Sequence, residues 1–125
     1  MILGIGVDLV EVVRLERALR VGGVGLERRL YSEAELASAA GRPDRVEFLA
    51  TRFAAKEACL KALGTGLGQG ISFTHIEITD PQESPPQLCL QGPAAERARK
   101  LGVQRLHLSW SRCAPVLAAT VLLEG

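Results

Sequence analysis

Asp44-Arg-Val-Glu-Phe-Leu-Ala-Thr-Arg-Phe-Ala-Ala-Lys-Glu-Ala-Cys-Leu-Lys-Ala-Leu-Gly64 is the longest stretch of the chain that no glycine or proline interrupts. Asp44 with Glu47 three residues on has the form of a capping box, and Gly64 suits the end of a helix. The stretch therefore reads as the principal helix. On a wheel of about 100° per residue, Val46, Ala50, Phe53, Glu57, Leu60 and Gly64 fall within about 40° of one line. Glu57 stands in the middle of that stripe. An unpaired carboxylate on a buried face either costs several kcal/mol or takes up a proton, so it needs a cation, a set of donors or a metal. Lys61 lies one turn on at the edge of the stripe, and the plainest reading of the two is an i,i+4 pair worth about 0.2–0.5 kcal/mol.

Toward the N-terminus, Ile2 to Val10 is rich in apolar and β-branched residues and reads as a strand covered on both faces. Asp8 is its only charge and shares a face with Gly4 and Gly6. It can cap the helix that follows or join Glu57 as a second carboxylate of one site. Helical spacing runs from Glu11 to about Arg20 and closes at Gly22-Gly23, which cannot continue a helix cheaply. Ser32 and Glu35 form a capping box for a helix over Ser32 to Ala40, broken by Gly41 to Pro43.

Beyond Gly64, the run to Gly70 is a loop by composition, followed by a strand over Ser72 to Thr79, a turn region at Pro81, Pro85 and Pro86, and a short strand over Gln87 to Gln91. Gly92-Pro93 opens a helix that reaches Lys100 and stops at Gly102. Strands over Val103 to Ser111 and Val116 to Glu124 close the chain, joined through Arg112 to Pro115. With 125 residues, 47% hydrophobic and 23% charged, residues 1–125 are expected to form one domain around one core.

Fifteen basic against fourteen acidic residues leave a net charge of +1, so no overall field recruits nucleic acid or an anionic membrane. The five aromatics are scattered, with no interleaved basic-aromatic stripe. The first ten residues are broken by Gly4, Gly6 and Asp8 and lack a basic lead, which excludes a signal peptide or a span and predicts a soluble cytoplasmic protein. Cys59, Cys89 and Cys113 contain no C-x-x-C pair, are unsuited to a disulfide framework, and are expected as core thiols. His75 and His107 sit in strand-like segments without a G-x-S-x-G and read as structural.

Asp8 and Glu57, with no His or Cys cluster beside them, suit a hard cation such as magnesium, which one or two carboxylates hold while water and substrate phosphates supply the other ligands. The Gly64–Gly70 run starts at a helix C-terminus, so the dipole points the wrong way for a P-loop, although bare backbone beside Lys61 can approach a phosphate. Gly4-x-Gly6 is not a dinucleotide fingerprint, since Leu9 occupies the third glycine position. Arg14, Arg17, Arg20, Arg28 and Arg29 cluster within sixteen positions and form a candidate dock for an acidic partner.

Two segments resemble a known family. Gly4-Ile-Gly-Val-Asp8-Leu-Val-Glu11-Val-Val-Arg14-Leu is similar to the N-terminal signature of holo-[acyl-carrier-protein] synthases, the short bacterial phosphopantetheinyl transferases. Arg52-Phe53-Ala-Ala-Lys56-Glu57-Ala-Cys-Leu-Lys61-Ala-Leu-Gly64-Thr65-Gly66 resembles their W/F-A-x-K-E-A-x-x-K segment and glycine turn. The resemblance extends over essentially the whole chain. It departs near the last hairpin, where many relatives carry Ser-His and this chain reads His107-Leu-Ser109-Trp110-Ser111.

The resemblance implies an α+β fold, with a mostly antiparallel sheet packed against a long helix, assembled as a homotrimer with its sites between subunits. It implies magnesium-dependent transfer of the 4′-phosphopantetheine arm of coenzyme A to a serine of apo acyl carrier protein, in fatty acid biosynthesis. Asp8 and Glu57 become the metal ligands and, with Lys61, the catalytic residues. Arg52, Lys61, Gly64, Thr65 and Gly66 become contacts of the coenzyme, and Arg14, Arg17 and Arg20 the dock for the carrier. The serine proton passes to a metal-bound water or to Glu35. The carboxylate pair alone equally permits a magnesium-dependent nucleotide pyrophosphate hydrolase, and a non-catalytic coenzyme A-binding module is the third reading.

Overall fold

The computed structural model describes residues 1–81 and 84–125, so part of the turn expected around Pro81, Pro85 and Pro86 lies outside the described residues. In chain order these residues form strand β1 (Ile2–Glu11), helices α1 (Val12–Leu30), α2 (Glu33–Ala39) and α3 (Arg45–Leu63), a short 3₁₀ turn (Phe73–His75), strands β2 (Ile76–Thr79) and β3 (Gln87–Leu90), helix α4 (Gly92–Leu101), and strands β4 (Arg105–Cys113) and β5 (Val116–Glu124). β5 lies between β1 and β4 in an antiparallel sheet, with Val7 opposite Thr120 and Leu108 opposite Val121. β2 and β3 form a separate antiparallel pair. The α+β architecture expected from the family resemblance is the one found.

α3 is buried almost all round. Leu49, Ala50, Ala54, Ala55, Ala58, Cys59, Leu60 and Leu63 are all closed off from solvent, against Leu117, Ala119, Val121 and Leu123 of β5. A helix with so wide an apolar surface belongs in a core, and alanines on its strand-facing side let the sheet come close. The approach reaches backbone-to-backbone distance at β1: a Cβ on Gly4 would stand 2.2 Å from the Ala62 carbonyl oxygen, and one on Gly6 only 1.9 Å from that of Ala58. The two glycines are there because nothing larger fits.

Several expectations are corrected. The stripe is buried only in part: Ala50 and Leu60 are closed off, whereas Val46, Phe53 and Glu57 are half-exposed, because small alanines on the other sides of α3 carry much of the buried contact. Asp44 does not cap α3 with its side chain: its carboxylate is held by Arg42 at 2.8 and 3.1 Å, and Glu47 pairs with Arg112. α1 turns at Gly23 (φ 62°, ψ −154°) but resumes to Leu30, since a second apolar set including Leu26 and Leu30 packs beyond the bend. β1 is covered on one face only, and Ile5, Val7 and Leu9 are 64, 56 and 68% exposed on the other. The strand expected from Ser72 begins at Ile76, because the His75 ring accepts the Ser72 N–H at 2.9 Å and tightens the chain into the 3₁₀ turn. Cys59 is buried, whereas Cys89 and Cys113 are exposed.

Other local signals hold. The Ser32–Glu35 capping box makes both its hydrogen bonds, and Gly64 and Gly102 end their helices in the left-handed region.

Candidate active site

Asp8 follows Gly6 on the face of β1 turned to α3, so the close strand-to-helix approach sets it beside the last turns of that helix. There Lys61 Nζ donates to the Val7 carbonyl at 3.0 Å and to Asp8 Oδ1 at 3.1 Å. The helix cap considered for Asp8 is not formed; α1 instead begins with the Val12 N–H donating to the carbonyl of Pro115 at 3.1 Å. Asp8, Glu11, Arg14, Phe53, Glu57 and Lys61 line one open cavity of about 460 Å³. Strand, α1 and α3 each contribute to it.

The electrostatics are those of two acids sharing a site. Burial raises the Glu57 pKa above its ordinary value and the nearby Asp8 charge raises it further, against the opposing pull of Lys61. The ammonium makes its hydrogen bonds to the Val7 carbonyl and to Asp8 rather than closing an i,i+4 pair with Glu57.

This donor set fits a hard divalent cation. A Glu57 charge disfavoured by burial and by Asp8 is relieved by a dication, and carboxylate oxygens suit magnesium better than a softer metal. Among the described residues no three His, Cys, Asp or Glu side chains converge on a metal position, so two carboxylates leave further ligands to water or substrate oxygens.

Glu35 is placed elsewhere. It is buried, its Oε1 accepts the Ser32 N–H at 2.9 Å and Lys56 Nζ at 2.7 Å, and its Oε2 accepts the Ile78 N–H at 3.1 Å. Lys56 is wholly buried and donates also to the Phe73 carbonyl at 3.1 Å; burial lowers its pKa, while Glu35 acts in the opposite sense. This ion pair ties α2, α3 and β2 together and leaves Glu35 no free oxygen for a reaction. Sequence reasoning quoted Lys56 only as part of the family-like segment and gave it no role; the signal was a lysine following Ala54-Ala55 on the principal helix.

The remaining candidates divide. Arg14 borders the Asp8 cavity; Arg17 and Arg20 are exposed on α1 without lining it. Arg52 is buried, its guanidinium 3.5 Å from the Phe48 ring centroid and 5.0 Å from that of Trp110, with Nη2 donating to Asp80 at 3.1 Å. It lines other cavities, with Arg42 and Asp80. Gly64, Thr65 and Gly66 form the turn after α3, where Thr65 Oγ1 donates to the Gly66 carbonyl at 3.0 Å, and they do not line the Asp8 cavity. A single chain thus unites Asp8, Glu57, Lys61 and Arg14 and keeps Arg52 and the glycine turn apart from them.

Known proteins are similar to this chain over its full length. Residues 4–119 match the family model described as the 4′-phosphopantetheinyl transferase superfamily. A holo-[acyl-carrier-protein] synthase of Shewanella pealeana is 42% identical, covering 100% of both chains. The crystal structure of the Neisseria meningitidis holo-[acyl-carrier-protein] synthase superposes with a TM-score of 0.90 at 35% identity, again over 100% of both chains. The Bacillus anthracis synthase, solved in complex with CoA (3′,5′-ADP), gives 0.81 at 35% identity over 98% of this chain and 96% of that one. With fold, length and both signature segments in agreement, the chain belongs to the 4′-phosphopantetheinyl transferase superfamily, in its holo-[acyl-carrier-protein] synthase family.

Proposed function

We propose that this chain transfers the 4′-phosphopantetheine arm of coenzyme A to a serine of apo acyl carrier protein, releasing adenosine 3′,5′-bisphosphate, with Asp8 and Glu57 holding magnesium. The observation that carries the reading is the convergence of Asp8, Glu57 and Lys61 on one cavity from a strand and a helix distant in sequence. The family membership and the coenzyme seen on the Bacillus anthracis relative support it.

In the reaction the serine oxygen bonds to the β-phosphorus of the coenzyme as the bond from that phosphorus to the bridging oxygen breaks. Magnesium held by the two carboxylates supplies electrostatic stabilisation of the diphosphate. Lys61 holds a positive charge beside it, where the leaving phosphate gathers negative charge. Glu35 is occupied by Lys56 and Ser32, so the serine proton passes to water. Arg14, Arg17 and Arg20 present positive charge along α1 to an acidic surface of the carrier.

Residues 1–125 act as one transferase domain, and the homotrimer completes its site. A neighbouring copy would bring Arg52, and with it the coenzyme contacts that one chain keeps away from Asp8; Gly64, Thr65 and Gly66 would flank the same coenzyme. The uncovered Ile5, Val7 and Leu9 of β1 are an apolar surface suited to such an assembly. The carrier as partner places the reaction in cytoplasmic fatty acid biosynthesis.

Incubation with coenzyme A, magnesium and apo carrier protein, followed by intact-mass measurement, tests the reading. The expected result is a gain of one phosphopantetheine arm on the carrier, dependent on magnesium. Coenzyme cleavage with an unmodified carrier would make the protein a pyrophosphate hydrolase, and coenzyme retained without turnover a binding module.

A further inference from the structure

A mainly apolar cavity among the described residues is separate from the Asp8 site. About 520 Å³ in volume, it opens between the part of α1 beyond Gly23 and the segment that follows the glycine turn. Leu26, Leu30, Leu67, Ile71 and Phe73 supply its apolar walls. Arg28 and Arg29 line it as well, and neither makes an ion pair or a side-chain hydrogen bond among the described residues. Its neighbour across the wall is known: Phe73 borders this cavity and Phe53 the Asp8 cavity, and their rings pack with centroids 5.7 Å apart. The two spaces are partitioned by that aromatic pair.

The volume lies in the range of small-molecule sites. An apolar chamber alone would take any hydrophobe, but two unpaired guanidiniums at its edge select for an anion, and a guanidinium matches a carboxylate in shape as well as charge. We propose that this cavity binds a medium-chain fatty carboxylate, its tail against Leu26, Leu30, Ile71 and Phe73 and its head on Arg28 and Arg29. The site shares no lining residue with the Asp8 cavity, so the failure of either reading leaves the other standing.

Sodium decanoate, titrated below its micelle concentration into the isotope-labelled full chain while amide resonances are followed, tests this. Saturable shifts should centre on Leu67, Ile71 and Thr74. Affinity should rise about fourfold for each methylene from hexanoate to decanoate. Decanol should bind about tenfold more weakly than decanoate, and Arg28→Gln with Arg29→Gln should remove that difference while leaving decanol binding as it was. Leu67→Glu, on the exposed loop at the mouth, should weaken decanoate with the fold intact. Equal affinity for decanoate and decanol in the unaltered chain overturns the proposal. So do shifts centred on Arg14 and Lys61, the absence of saturation, or shifts at these amides that follow protein concentration without ligand, which would mark a contact between copies.

Discussion

Asp8 and Glu57 face the same space from two elements, and only their neighbours keep both there: Lys61 on one, the half-buried wall around the other. Asp8→Asn and Glu57→Gln each remove a charge that the diphosphate site uses while preserving shape. Either change should lower kcat/KM for transfer by about 10²- to 10³-fold with an unaltered circular dichroism spectrum. The pair was legible in the sequence because a charge in an apolar strand and a charge on a gapless helix are conspicuous. The glycine spacing at Gly4 and Gly6 gave the face but not the reason, since a backbone approach of 1.9 Å to a would-be Cβ is a property of two elements and of no single residue. Cys59 carries a second consequence at this scale. Burial pushes its thiol from 9.0 up to about 12, so the folded chain keeps a proton that the unfolded chain releases above pH 9. That contribution is complete below pH 9 and is lost as pH climbs toward 12, at about 1.4 kcal/mol per pH unit. Tyr31, also raised by burial, adds to the loss above pH 10. Unfolding free energies from urea titrations should hold level up to about pH 9 and fall between pH 9 and 11 in the parent chain, and Cys59→Ala should reduce that fall.

At the scale of elements, the contact of β1 with α3 depends on absent side chains. Gly6→Ala should push the strand off the helix, cost about 1–3 kcal/mol in urea unfolding, and depress transfer beyond what the lost stability explains, because Asp8 moves with the strand. The helices were easier to read than their surroundings. Ser32, Gly64 and Gly102 are local signals that the structure obeys. The bend at Gly23 was read as an end because a glycine pair stops propagation locally, while the resumption of α1 depends on Leu26 and Leu30 finding a core supplied by distant residues. The same holds for Lys56 and Glu35. Their partnership joins positions far apart in sequence, and breaking such a buried pair from one side typically costs about 3–5 kcal/mol.

For the molecule as a whole, one uncovered apolar face stands out. Ile5, Val7 and Leu9 project from β1 on the side away from α3, which the strand's composition suggested would be covered. The sequence reading was right about hydrophobicity and wrong about the cover, because one chain has no element left to place there. Val7→Lys should convert the proposed trimer to monomers in analytical ultracentrifugation and reduce transfer, leaving the monomer fold intact because the position is already exposed.

The sheet order β1-β5-β4 also bears on biosynthesis. Among the described strands β1 leaves the ribosome first, and it finds its partner only when Val116–Glu124 has been made, more than a hundred residues later. At ordinary translation speeds of about 5–20 residues per second, Ile2–Glu11 waits roughly 5–20 s with an unsatisfied edge and a sticky side. Nascent chains stalled before residue 116 should therefore be the form most in need of a chaperone.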